Sequence, residues 1–239
     1  NYSPHSFTDI AMEVQQKDEG ERIMEMWKHR VFCVMGKRLN DSGVLVNNKR
    51  ILTAAHLGFT LNEVYNIFGT NNRQFSVKCC YISNKLDFAV LQSDDLEDIS
   101  FRHNNFSLGR QYFILGYPHF PDRSSPAIMN GLVESLHSNS IHYIGIPGAR
   151  AGYSGGPVIN KSDGLSGILL GGIHEMTTES TIQEVMNGFV EQKYVRLLPL
   201  GRQQGALMNQ EKYQPRQSRT SDTGSQHLTN YVKRVRSQI

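Results

Sequence analysis

Apolar positions along the chain fall into two textures. Between residues 6 and 27, Phe7, Ile10, Met12, Val14, Ile23, Met24, Met26 and Trp27 recur among acids and glutamines with an irregular helical spacing that breaks near Gly20. This predicts one or two N-terminal helices within residues 1–29, packed on the rest of the protein. From Arg30 to Leu200 the pattern changes to short β-branched and aromatic runs separated by turn residues. Strands are expected around Val31-Phe32-Cys33-Val34, Val44-Leu45-Val46, Arg50-Ile51-Leu52, Phe75-Ser76-Val77, Phe88-Ala89-Val90-Leu91, Tyr112-Phe113-Ile114-Leu115, Ile128-Met129, Ile141-His142-Tyr143-Ile144, Pro157-Val158-Ile159 and Ile168-Leu169-Leu170, with turns at Asn47-Asn48 and Asp163-Gly164. Many short strands at close spacing make a sandwich or barrel. The polar stretch Ser93 to Ser107 divides them into similar halves. The expected architecture is therefore mainly β: a barrel over residues 30–97, a linker over 98–108 and a second barrel over 109–199. Beyond Leu200 the chain turns to Gln, Ser, Thr, Asn and basic residues, the composition of a flexible tail, 200–239.

Charge adds one asymmetry. Lys and Arg exceed Asp and Glu by 25 to 22 over 239 residues. Arg202, Lys212, Arg216, Arg219, Lys233, Arg234 and Arg236 stand in the tail against Glu211 and Asp222 alone, so the body is close to neutral. Three cysteines, two of them the adjacent Cys79 and Cys80, cannot build the disulfide framework of a small secreted protein. The chain opens without a charged and apolar leader, and its longest apolar run, Gly167 to Ile173, is too short to span a bilayer. A soluble, cytoplasmic protein is expected. Cys79-Cys80 matches no metal spacing, no Gly-rich phosphate loop is present, and the histidines do not cluster as ligands, so neither cofactor nor metal is expected.

The most informative segment is Gly152-Tyr153-Ser154-Gly155-Gly156-Pro157. Glycines on both sides of a serine permit a tight turn that exposes the hydroxyl and aims backbone N–H groups, here those of Gly152 and Ser154, at a developing oxyanion. On its own this is equally a Gly-rich hairpin. Two partners upstream raise its meaning. Thr53-Ala54-Ala55-His56 follows an expected strand, where an imidazole can take the serine proton and return it to a leaving amine. Asp87 opens another strand thirty-one residues later, where a carboxylate can fix the imidazole tautomer. The order His56, Asp87, Ser154 on a two-barrel background points to peptide-bond hydrolysis.

These segments, T-A-A-H, D-F-A-V-L and G-x-S-G-G-P, resemble the three signatures of the trypsin/chymotrypsin clan over roughly residues 30 to 197, which implies two barrels of the chymotrypsin type and a polypeptide substrate. Tyr153 stands where activated digestive members carry Asp, so their mode of zymogen activation is not expected. Tyr143 to Pro157, Y-I-G-I-P-G-A-R-A-G-Y-S-G-G-P, with Gly172-Ile173-His174, is most similar to the picornavirus-type 3C-like polyprotein proteases. That resemblance implies that His174, supported by Tyr143, donates a hydrogen bond to a Gln or Glu side chain before the scissile bond. The chain departs from that pattern in four ways. Ser154 replaces the usual Cys, His174 follows it by a longer interval than usual, Tyr143 precedes it by a longer interval, and Ala149 stands where a Thr commonly adds a contact. The polyprotein reading also makes Gln204-Gly205 a candidate self-cleavage site. Two alternatives remain: a cellular protease of the HtrA or glutamyl-endopeptidase type, and an RNA-binding module on a protease scaffold. The basic tail favours the second through phosphate contacts, although the linker lacks the basic motif of the viral family.

Overall fold

The computed structural model describes residues 19–118, 124–173 and 194–201. Most of the expected first helical segment, His174 and nearly all of the tail lie outside these residues. Residues 19–27 are helical, and Ile23 and Trp27, one turn apart on one face, are fully buried. Arg22 ties this helix to the body through the Asp163 carboxylate and the Lys161 carbonyl, the latter at 2.8 Å.

Twelve strands follow among the described residues. β1 (Val31–Met35), β2 (Asn40–Val46), β3 (Arg50–Ala54), β4 (Val64–Phe68), β5 (Gln74–Ser83) and β6 (Phe88–Gln92) close into one antiparallel barrel in the order β1-β2-β3-β6-β5-β4. β7 (Gln111–Gly116), β8 (Ala127–Leu136), β9 (Tyr143–Ile146), β10 (Pro157–Asn160), β11 (Leu165–Ile173) and β12 (Tyr194–Pro199) close the second in the order β10-β11-β12-β9-β8-β7. The expectation of two antiparallel barrels of the chymotrypsin type holds. Val34, Val44, Ile51, Leu52 and Val90 are buried along the strands of the first barrel, and Ile114, Val133, Val158, Leu169, Val195 and Leu197 form a core cluster in the second. Asn48 and Asp163 adopt positive φ, as the Asx-rich turns predicted.

Two strands escaped the sequence reading. β4 buries only Tyr65 and Ile67 in strict alternation, leaving Val64 65% exposed, so its apolar run is too short to stand out. β12 carries a charge, Arg196, in its middle. The expected strand at Ile141 begins at Tyr143 instead, because Asn139 Oδ1 accepts from the Ile141 and His142 amides and folds that stretch into a turn. The barrels meet where β1 and β2 lie on β7 and where β3 lies on β11. The thiols of Cys33, Cys79 and Cys80 are unbonded to one another, and Cys79 packs inside β5 as expected of a strand residue. Among the described residues no helix is long and apolar enough to cross a membrane.

Candidate active site

Strand pairing brings the first two candidate residues together. Ala54, the last residue of β3, is in register with Phe88, the first of β6, so the chain leaving one strand meets the chain entering the other. After Ala54 the backbone makes a 3-10 turn, Ala55–Leu57, released at Gly58 with φ of 87°. Asp87 holds this turn three ways. Its carbonyl accepts from the Ala55 amide at 3.1 Å, its Oδ1 from the His56 amide at 2.9 Å, and its Oδ2 lies 2.9 Å from His56 Nδ1. Asp87 itself has φ of 57°, a left-handed conformation that Asp tolerates better than most residues. Its carboxylate also accepts from Arg196 of β12 at 3.2 Å, an ion pair in which both side chains keep partial solvent access. Arg196 comes from the second barrel, and sequence reading missed it.

Ser154 lies on the turn between β9 and β10. Gly152 (φ 98°) and Gly155 (φ 82°) flank it, and a Cβ at Gly155 would stand 2.1 Å from the Ser42 carbonyl. Only glycine fits there, which is the physical content of the G-x-S-G-G run. Gly155 and Gly156 tie the turn to β11 through Gly155 N–H to Leu169 O at 2.6 Å and Leu169 N–H to Gly156 O at 3.0 Å. Tyr153, fully buried, anchors it in the second-barrel core, where a Cβ on Gly116 would strike its ring. The residue before the nucleophile candidate is thus a packing anchor.

Ser42 of β2 grips the same turn from the first barrel. Its amide donates to the Ser154 carbonyl at 2.9 Å, and its hydroxyl donates to the Gly152 carbonyl at 2.6 Å while accepting from the Tyr117 amide at 2.8 Å. Thr53 Oγ1 in turn donates to the Ser42 carbonyl at 2.8 Å. The Gly152 and Ser154 carbonyls lie in the peptide planes that carry the Tyr153 and Gly155 amides, so these bonds fix the backbone on either side of Ser154, while the plane carrying the Ser154 amide is held by the Gly156 amide donating to the Tyr153 carbonyl at 2.9 Å.

Asp41, one residue earlier, is a second residue that sequence reading missed. It is 6% exposed, and its Oδ1 accepts from the Ser42 amide at 3.2 Å. Burial pushes the carboxyl up to about 7, against the pull of Ser154 and of the nearby His56. A signal existed: Asp41 is an acid inside a strand whose other central residues are buried, a position that carboxylates seldom occupy.

The specificity candidates are placed differently. Ala149 is buried in the second-barrel core, and Tyr143 packs against the same cluster with its ring 5.1 Å from that of Phe106. His174 lies outside the described residues. The strand leading to it passes the nucleophile candidate, since a Cβ on Gly171 would lie 3.5 Å from Ser154 Oγ. His142, buried nearby, has its pKa lowered by desolvation and by the Arg196 charge. Among the described residues no group of three or more His, Cys, Asp or Glu could hold a metal ion.

Comparison with solved structures supports the same architecture. The chain superposes on a serine endoprotease from Yersinia pestis with a TM-score of 0.64 and 17% identity, covering 87% of this chain and 67% of that one. It superposes on the Rv3671c protease from M. tuberculosis in its active form with a TM-score of 0.59 and 15% identity, covering 78% and 82%. The inactive form of the Rv3671c protease gives 0.61 and 15%, covering 78% and 91%. At such identities the likeness carries the fold. No curated protein matches the sequence. A family model does: residues 41–168, more than half of the chain and including His56, Asp87 and Ser154, match the trypsin-like peptidase domain. The chain belongs to that family of serine endopeptidases.

Proposed function

We propose that Ser154 is the nucleophile, His56 its general base and Asp87 the residue that orients that base, in an endopeptidase that cleaves after Gln or Glu and processes a viral polyprotein in the host cytoplasm. The observation that carries the triad is Asp87 bonded to both the amide and the Nδ1 of His56, on the turn that follows Ala54, whose amide nitrogen lies 2.9 Å from where a Cβ on Gly155 would stand. Asp87 keeps the Nδ1 proton in place, leaving Nε2 free to take the Ser154 proton as Oγ attacks the scissile carbonyl. The amides of Gly152 and Ser154 receive the oxyanion, and the imidazolium then protonates the leaving amine. Water repeats the cycle on the acyl-enzyme.

The Gln/Glu preference is supported by the resemblance of residues 143–157 and of Gly172-Ile173-His174 to the 3C-like proteases, together with the path of β11 past Ser154. The alternative, a cellular housekeeping protease, is favoured by the match to a general trypsin-like domain. A peptide-library cleavage profile separates them. Gln or Glu before the cut, lost selectively in His174→Ala, supports the polyprotein reading, and small aliphatic residues there refute it. In the same assay Ser154→Ala and His56→Ala each lower kcat by ~10⁴ or more while the fold is retained. More than a few per cent residual turnover in Ser154→Ala overturns the nucleophile assignment.

A further inference from the structure

The chain that carries His56 and the chain that carries Ser154 are both tied to one further element, the hairpin tip at residues 36–39 between β1 and β2. On one side the tip is pinned just past His56: the Lys37 amide donates to the Gly58 carbonyl at 3.0 Å and the Arg38 amide to the Leu57 carbonyl at 2.9 Å. On the other side it continues directly into β2, where the Ser42 amide donates to the Ser154 carbonyl at 2.9 Å. We propose that Arg38 is a specificity-determining residue that recognises an acidic side chain on the part of the substrate following the scissile bond. The inference rests on Ser154 being the nucleophile and His56 its general base.

The chemistry dictates the side of the site. His56 returns its proton to the leaving amine, so that amine and the residue bearing it lie against His56, whereas the acyl half stays on Ser154. The departing fragment therefore meets the Ala55–Leu57 turn and the hairpin tip bonded to it. Arg38 lies four residues before Ser42. That is roughly 13 Å of extended chain, part of which a long side chain closes, so the matching substrate positions are the second and third after the cut, at ~3.3 Å each.

Charge on the tip is divided unequally. Lys37 is spent: its Nζ pairs with Glu63 and donates to Thr60 Oγ1 at 2.8 Å. Glu63 in turn also accepts from the Tyr65 hydroxyl at 3.0 Å. Arg38 is exposed, and its guanidinium has neither hydrogen bond nor ion pair among the described residues. Its stem is nevertheless placed. A Cβ on Gly58 would stand 2.9 Å from Arg38 Cγ and 3.2 Å from Cδ, so the glycine gives the stem room to lie over the chain two residues beyond His56. A cation with a seated stem loses little freedom on meeting a carboxylate, and its planar fork can take both oxygens.

The test compares kcat/KM for peptides that share the best-cleaved residue before the cut and carry Glu, Gln or Lys at each of the three positions after it. At ~0.01 M salt the unsubstituted protein should prefer Glu to Gln at the second or third position by about threefold to fivefold, the range of a solvent-exposed pair, and at ~1 M the preference should vanish. This arm needs no variant, and a missing or salt-independent Glu preference refutes the ionic contact. Arg38→Gln should abolish the preference and Arg38→Glu should turn it toward Lys. Lys49→Gln, the same loss of charge at the opposite end of β2, should keep it. The 4-nitroanilide of the same acyl sequence has no residue after the scissile bond and should be hydrolysed equally by the unsubstituted protein and both Arg38 variants. Equal Glu-to-Gln ratios in the unsubstituted protein and Arg38→Gln, or Arg38 variants as impaired on the nitroanilide as on the peptides, overturn the proposal and leave the triad intact. Cleavage that persists in Ser154→Ala, or an unsubstituted protein that cleaves neither substrate, overturns the triad reading and this proposal with it.

Discussion

A carboxyl that titrates near neutrality inside a barrel makes the stability of this protein depend on pH in an unusual direction. Asp41 rises from 3.8 to about 7 on folding, chiefly through burial. Below 3.8 the group is protonated in both states and contributes nothing to the difference. Between the two values the native protein holds a proton that the unfolded chain has released, so stability falls as pH rises, and the loss is complete above about 7. Three pH units at about 1.36 kcal/mol each amount to a loss on the order of 4 kcal/mol, of which about 3 falls between pH 5 and 8.5. That is a large share of the ~5–15 kcal/mol that a folded domain has in total. At 6% exposure little solvent screening reduces it. Asp41→Asn removes the titration, so the assay is urea unfolding of both proteins at pH 5 and pH 8.5. The decisive quantity is the change in their stability difference, because the amide introduced at position 41 has its own unmet hydrogen-bonding needs that are constant with pH. Titrating groups away from Asp41 contribute equally to both proteins and cancel. Asp41→Asn should gain about 3 kcal/mol on the unsubstituted protein between the two pH values. Parallel stabilities would show that Asp41 is ionised in the fold at pH 5 and would refute the burial argument.

Further outcomes follow from the same contacts. Ser42→Ala removes the hydroxyl that bridges Gly152 and Tyr117, and should lower stability by about 1–3 kcal/mol and kcat by roughly tenfold with little change in KM, as read by thermal melts and steady-state kinetics. Arg196→Met removes one of the contacts to Asp87, but the pair is partly solvated, so kcat/KM should fall by less than about fivefold and the deficit should shrink as salt is raised. Gly155→Ala places a Cβ against the Ser42 carbonyl at positive φ and should abolish activity together with the cooperative melt of the protein. Intact-mass analysis of active enzyme should show cleavage after Gln204, absent in Ser154→Ala; a stable full-length mass would remove the self-processing site.

What was legible in the sequence and what was not divides along physical lines. The strands that fill the barrels carry long apolar runs, and the Ser154 turn announces itself because Gly155 has no room for a side chain, a demand visible in the letters themselves. His56 and Asp87 were found because each opens or closes a strand beside a recognisable run. Ser42 and Arg196 were missed for a common reason: each acts on a partner in the other half of the chain. Ser42 meets Gly152 across 110 residues and Arg196 meets Asp87 across 109, distances at which no local pattern carries information. The charge of Arg196 within the otherwise apolar β12 was the available clue. It marks a residue that needs a partner without saying which one.

The two long-range grips run in opposite directions, and together they explain how a site split between two barrels stays assembled. The turn bearing Ser154 belongs to the second barrel but is held by Ser42 of the first through the Gly152 and Ser154 carbonyls. The pair His56 and Asp87 belongs to the first barrel but is held by Arg196 of the second. A shift of one barrel relative to the other would strain both contacts at once. The Ser42 grip is buried and made of short neutral bonds, so it sets the distance between nucleophile and base; the Arg196 grip is charged and partly solvated, so it yields more readily. Asp41 sits beside the first grip, on the residue before Ser42, whose amide donates to its Oδ1 at 3.2 Å.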